Sequence, residues 1–126
     1  MMKYILVVED NPMNMELAVD LLESYGYKVT GAEDGFKALE LVKETGFNLI
    51  LLDMQLPKMD GLEVLTKLKS EPKTADIPVV ALTAHAMMGD EERFCDAGCI
   101  GYISKPIDVH QFKAIVAGYL GESNNI

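Results

Sequence analysis

Basic residues, cysteines and long apolar runs are all scarce in this chain, and each shortage removes a class of function. Only 11 lysines and arginines stand against 20 acids, for a net charge of −9, and the cations are scattered along the sequence. Nucleic-acid affinity rests on clustered cations, so a phosphate backbone is not an expected partner. No apolar stretch approaches the ~20 residues a membrane helix needs, so no membrane insertion is expected. Met1, Met2 and Lys3 run straight into the first strand pattern, leaving no room for a signal peptide, and the expected location is cytoplasmic. Cys95 and Cys99 lie four residues apart without a second pair to complete a zinc site, and both read as small core residues. Internal repeats, low-complexity segments and linkers are absent.

What is present fits one globular domain. A chain of 126 residues with 49% hydrophobic and 25% charged residues can bury a sizeable core. Strand and helix patterns alternate five times, which predicts a parallel sheet with helices on both faces. Four of the apolar runs end on polar groups suited to phosphate or a divalent cation. Tyr4 to Val8 meets Glu9 and Asp10; Asn48 to Leu52 meets Asp53; Val79 to Leu82 meets Thr83; Tyr102 and Ile103 meet Ser104 and Lys105. Ligands of open parallel sheets bind outside the carboxyl ends of the strands, so these four ends are expected to share one site.

The punctuation between elements supports this reading. Asn11 and Pro12 open the first helix as cap and first residue, and Gly26 closes it. Val29 to Ala32 form the next strand, and Phe36 to Lys43 a helix stopping near Gly46. Asn48 to Leu52 is continuously apolar and predicts the buried centre of the sheet. Asp60 and Glu63 have capping-box spacing, as do Asp108 and Gln111, the latter before a last helix in which His110 lies at the surface. Asp34 reads as a further turn or cap residue. Gly89 to Glu92 puts acids at the start of the fourth helix, and Gly98 stops it. Met13, Met15, Met87 and Met88 read as packing residues.

The segments Val8-Glu9-Asp10-Asn11, Leu52-Asp53-Met54-Gln55-Leu56-Pro57, Asp60-Gly61, Ala81-Leu82-Thr83-Ala84 and Tyr102-Ile103-Ser104-Lys105-Pro106, in this order and spacing, resemble the motifs of the two-component receiver domain. The resemblance covers Lys3 to Leu120. More narrowly, Met87 to Arg93 and Gly98-Cys99 resemble the single-domain cell-cycle receivers of the DivK type. The resemblance implies a flavodoxin-like (βα)5 fold with strand order 2-1-3-4-5, a receiver domain over residues 1–121, and a short polar tail over 122–126. It also implies a phosphoacceptor in two-component signalling rather than an enzyme acting on external substrates, one that promotes its own phosphorylation and autodephosphorylation.

As the resemblance implies, Asp53 takes a phosphoryl group from a phosphohistidine of a histidine kinase or histidine phosphotransfer protein, forming an acyl phosphate. Mg2+ is the expected ion, with Mn2+ as the alternative. Asp10, Asp53 and the backbone carbonyl of Gln55 would bind it directly, and Glu9 through water. Lys105 and Thr83 would hold phosphoryl oxygens, and Tyr102 would turn inward as Thr83 moves. Gln55 and His85 occupy positions that relatives use to tune phosphate loss, and Lys105-Pro106 is a candidate cis peptide. Signalling would run through the fourth helix, last strand and fifth helix to a downstream protein target, as a monomer or a phosphorylation-dependent dimer, without a DNA-binding output domain. Glu9 stands where Asp is commoner, which touches only fine metal geometry.

Each residue also has a bland reading. Glu9 and Asp10 alone could cap a helix, Thr83 alone is a strand former, Lys105 alone a solvated charge, and Tyr102 alone a half-buried strand aromatic. Asp53 is different, since a carboxylate ending a fully apolar strand is costly unless paired or metal-bound. A haloacid dehalogenase-type phosphatase would need an acid two residues after the nucleophile, and Gln55 stands there. A phosphate-independent pseudo-receiver would be expected to lose an acid, Thr83 or Lys105, and a receiver cut from a longer regulator would look the same at this length. Met1 and the short tail favour a protein acting alone.

Overall fold

The computed structural model describes residues 2–84 and 90–121. Strands and helices alternate as β1 (Tyr4–Val8), α1 (Pro12–Ser24), β2 (Lys28–Ala32), α2 (Gly35–Glu44), β3 (Leu49–Asp53), α3 (Gly61–Ser70), β4 (Val79–Thr83), α4 (Asp90–Ala97), β5 (Gly101–Ser104) and α5 (Phe112–Tyr119). All four strand pairings are parallel, in the expected order β2-β1-β3-β4-β5. His85, Met87, Met88 and Gly89, and the tail 122–126, lie outside the described residues.

Side-chain alternation divides the core into two layers. Ile5, Val7, Leu49, Leu51, Val80 and Leu82 face α1 and α5, meeting Ala18, Leu22, Phe112 and Val116. Leu6, Val8, Ile50, Leu52, Val79 and Ala81 face the other way and meet Val42 of α2, Leu65 of α3 and Phe94 of α4. β3 and β4 are buried along their whole length, as central strands covered on both faces must be. Asn48 lies outside the strand that its apolar run predicts: its side-chain oxygen accepts from the Tyr4 N–H at 2.8 Å, and β3 runs on to Asp53 instead.

Local signals place most helix starts. Asn11 caps α1, its Oδ1 accepting from the N–H groups of Met13 (2.9 Å) and Asn14 (3.1 Å). Asp34 accepts from the Lys37 N–H and Asp60 from the Glu63 N–H in the same way. The last helix departs from expectation. Asp108 Oδ1 accepts from the His110 N–H, closing a turn, and α5 begins only at Phe112 with Gln111 as a cap whose side chain is unused. His110 is exposed as expected but sits in that turn, not in the helix.

Two further readings are corrected. Cys99 is buried but Cys95 is exposed, because four residues along, with Gly98 at φ +122° between them, the chain has left the helical face. Met13 is 80% exposed and packs against nothing in the core, whereas Met15 lies over Gly31, where a Cβ would come within 2.9 Å of its sulfur.

Candidate functional site

The order β2-β1-β3-β4-β5 reverses direction between β1 and β3, which opens a crevice at their carboxyl ends. Glu9 follows β1 and Asp53 ends β3, each among the few polar side chains that are almost fully buried. Asp10, next to Glu9, is exposed. One carboxylate oxygen from each of Glu9, Asp10 and Asp53 lies within 4.8 Å of the others.

Lys105 reaches in from the end of β5. Its Nζ donates to Glu9 Oε1 at 2.9 Å and to Asp53 Oδ2 at 3.1 Å, with only 13% of its side chain exposed. Its backbone N–H donates to the Thr83 carbonyl at 2.8 Å, tying the site's end of β5 to β4. The Lys105-Pro106 peptide is cis, as expected. Thr83 is buried beside Asp53's strand, in register with Ser104. Tyr102 is half-buried against the core layer that includes α4.

Backbone N–H groups also hold Asp53 and Glu9. The Gln55 N–H donates to Asp53 Oδ1 at 2.9 Å, and the Asn11 N–H to Glu9 Oε2 at 3.2 Å. Both acids therefore have oxygens already directed, and no buried side-chain polar atom among the described residues lacks a hydrogen-bond partner. The capping alternative for Glu9 and Asp10 falls away, since Asn11 caps α1 and Glu9 points to the lysine.

Electrostatics follow from the crowding. Burial pushes the Glu9 carboxyl above its ordinary range, and neighbouring Asp53 adds to this against the opposing pull of Lys105. For Lys105, burial works against the ammonium, but its hydrogen bonds and attraction to Glu9 and Asp53 outweigh it and raise its pKa. Three carboxylates against one ammonium leave excess negative charge on hard oxygen donors. That is the donor chemistry that suits Mg2+, which binds through one or two carboxylates while keeping several waters.

The sequence reading brought Glu9, Asp10, Asp53, Thr83 and Lys105 to one end of the sheet, and the fold places them there. It missed two residues. The Asn11 N–H helps hold Glu9, and Gly61 allows the start of α3 to close on the site: a Cβ there would lie 2.6 Å from Met54 Cα and 2.8 Å from the Asp53 carbonyl oxygen. The Asp-Gly pair was the available signal for the second. The position of Gln55's carbonyl as an ion ligand stays a proposal, and His85 lies outside the described residues.

Comparison with known proteins agrees with this geometry. The sequence profile described as the response regulator receiver domain matches residues 5–117. The chain is 47% identical over 123 residues to the polar-differentiation response regulator DivK of Brucella ovis, covering 98% of this chain and 100% of that one. Among solved structures, the receiver domain of a sensor histidine kinase from Pseudomonas aeruginosa, described with a magnesium ion coordinated in its active-site cleft, is 33% identical. It superposes with a TM-score of 0.87 over 97% of this chain and 100% of that one. The chemotaxis protein CheY4 of Vibrio cholerae, at 23% identity and a TM-score of 0.89 over 94% and 99% of the two chains, shares the fold.

Proposed function

The chain belongs to the response regulator receiver family of two-component signalling, and on that premise we propose that Asp53 is its phosphoacceptor. The observation that carries the proposal is the Lys105 ammonium bridging buried Glu9 and Asp53 at the switch point of the sheet. An Asp53 carboxylate oxygen attacks phosphorus of a phosphohistidine, the new O–P bond forms as the P–N bond breaks, and the donor imidazole leaves. Asp53 Oδ1 is held by the Gln55 N–H and Oδ2 by Lys105, so the carboxylate is oriented before the donor arrives.

Glu9, Asp10, Asp53 and the Gln55 carbonyl would hold Mg2+, with Mn2+ as a substitute; bound there, the ion offsets charge shared by carboxylate and phosphoryl oxygens. Lys105 exchanges Asp53 Oδ2 for a phosphoryl oxygen, and the Thr83 hydroxyl donates to another. Tyr102, half-buried at the edge of the core, follows Thr83 inward, biasing α4, β5 and α5 toward an arrangement read by a target protein. Gln55 and His85 set how fast the acyl phosphate is lost.

The receiver domain spans residues 1–121, with 122–126 as a tail. Its donors are a histidine kinase or histidine phosphotransfer protein, and it works in the cytoplasm as a monomer or a phosphorylation-dependent dimer. Among the described residues no helix is long and apolar enough to cross a membrane. The chain aligns with the DivK relative over that protein's full length, which supports action by docking onto a partner protein.

The test is intact-mass analysis after incubation with acetyl phosphate, with and without Mg2+, on the wild type and Asp53→Asn. A Mg2+-dependent adduct present in the wild type and absent from the variant is expected. Labelling that persists in the folded variant, or a folded wild type that takes none, would remove Asp53 from this role.

A further inference from the structure

An open groove of about 910 Å3 runs between α2 and α3, away from the phosphoacceptor crevice. Its floor is apolar, built from Leu39, Met59 and Leu68 beside Phe36, an aromatic left 56% exposed. Its rim carries Lys43, Lys67 and Lys73, all exposed, against Glu40 and Glu71. Lys37 faces Glu40 at 3.8 Å, whereas none of the three rim lysines has an ion pair among the described residues. A chain of net charge −9 thus presents free cations around an exposed aromatic in one concave place.

We propose that this groove docks an acidic amphipathic helix of a partner protein, with its apolar side on Phe36, Leu39 and Leu68 and its carboxylates on Lys43, Lys67 and Lys73. The charge of the rim selects the sign of the partner. A large exposed aromatic beside an apolar floor is the composition of an interface anchor rather than of ordinary surface. A small ligand fits less well, because it needs fixed polar groups to orient it. The buried polar side chain in the lining is Thr74, whose hydroxyl already donates to the Leu68 carbonyl at 2.6 Å. Each of the two helices has ten residues, about 15 Å, which matches the two to three turns over which a docked helix presents apolar residues at i, i+3, i+4 and i+7. Met59 belongs to the loop that follows Asp53, and Lys58 of that loop lies 3.7 Å from Asp34 at the start of α2. An occupant would therefore touch the loop leaving the phosphoacceptor, on helices outside the α4-β5-α5 surface.

The test is an NMR titration of the whole chain with a probe peptide of about 14 residues carrying Leu at i, i+3, i+4 and i+7 and Glu at the flanking positions. Amide shifts at Phe36, Leu39, Lys43, Lys67 and Lys73 are expected, weakening with salt. The exposed-site variant Lys67→Glu/Lys73→Glu should lose at least about ten-fold in affinity and gain affinity for the peptide with Lys in place of Glu. Phe36→Ser should also weaken binding while leaving the fold intact. Equal binding of both peptides, shifts confined to other surfaces, or no binding would overturn the proposal. So would groove shifts that arise with protein concentration alone, since these would assign the groove to a second copy of the chain. Phosphorylation of Asp53 is not part of any readout, so the two proposals fail separately.

Discussion

Lys105 shows at the scale of one residue how a functional side chain can also hold the fold together. It is the cation that makes two buried carboxylates tolerable, and removing one partner of a buried ionic cluster is costly because the others remain. Lys105→Met should lower stability at pH 7 by roughly 3 kcal/mol in urea unfolding. The loss should shrink toward acid. Glu9 already has a folded-state pKa above its ordinary 4.5, so its contribution is fully present below that value and is lost as pH rises through the raised one. Without the lysine, whose hydrogen bond holds that pKa down, the window widens, so the deficit of the variant narrows as pH falls toward the ordinary value. The cysteines offer a second residue-scale contrast. Burial, helped by the nearby Cys95, pushes the Cys99 thiol up to about 12, so a thiol reagent at pH 8 should label exposed Cys95 in the native protein and leave Cys99 untouched until urea is added. Its raised pKa also predicts stability that falls as pH climbs above the ordinary 9.0, a slope that Cys99→Ala should reduce.

At the scale of an element, the start of α3 couples helix geometry to the site. Asp60 caps the helix, Gly61 lets its first turn lie on the Asp53–Met54 backbone, and Lys58 takes a φ of +66° in the tight turn that closes with the Met59 N–H on the Pro57 carbonyl. Gly61→Ala should destabilise by about 1–3 kcal/mol, since backbone and not a flexible side chain must move, and should slow Asp53 labelling by acetyl phosphate. Asp60→Ala should cost about 1 kcal/mol by loss of the cap. Asp108→Ala makes a useful comparison: the two acids have the same sequence spacing, but Asp108 closes a turn rather than a helix, so urea unfolding should register a smaller loss. This is where sequence reading failed. Capping spacing is local, and the structure uses it at α3 but begins α5 later, at Phe112, a side chain fully buried between α1 and the sheet.

At the scale of the whole molecule, excess acid at one end of the sheet makes stability depend on a cation. Mg2+ should raise the melting temperature, by about 10 °C at a hundred-fold excess over its Kd, and Asp10→Asn should abolish most of that shift. In chelator, Asp53→Asn should melt higher than the wild type, because it removes one of three crowded carboxylates. A wild type indifferent to Mg2+ would show that the cluster does not hold the ion.

The alternation of strand and helix, the caps Asn11, Asp34 and Asp60, and the polar ends of four apolar runs are written in local residue order, and they determined the fold class and most of the site. Composition alone turned attention away from nucleic acid and membrane. Only the tertiary structure decided that Lys105 binds Glu9 and Asp53 across most of the chain, that Cys95 faces solvent while Cys99 does not, and that Met13 lies exposed. Strand order and helix packing set those outcomes, because they fix which distant residues share a low-dielectric space, and that is a property of the folded chain rather than of any segment.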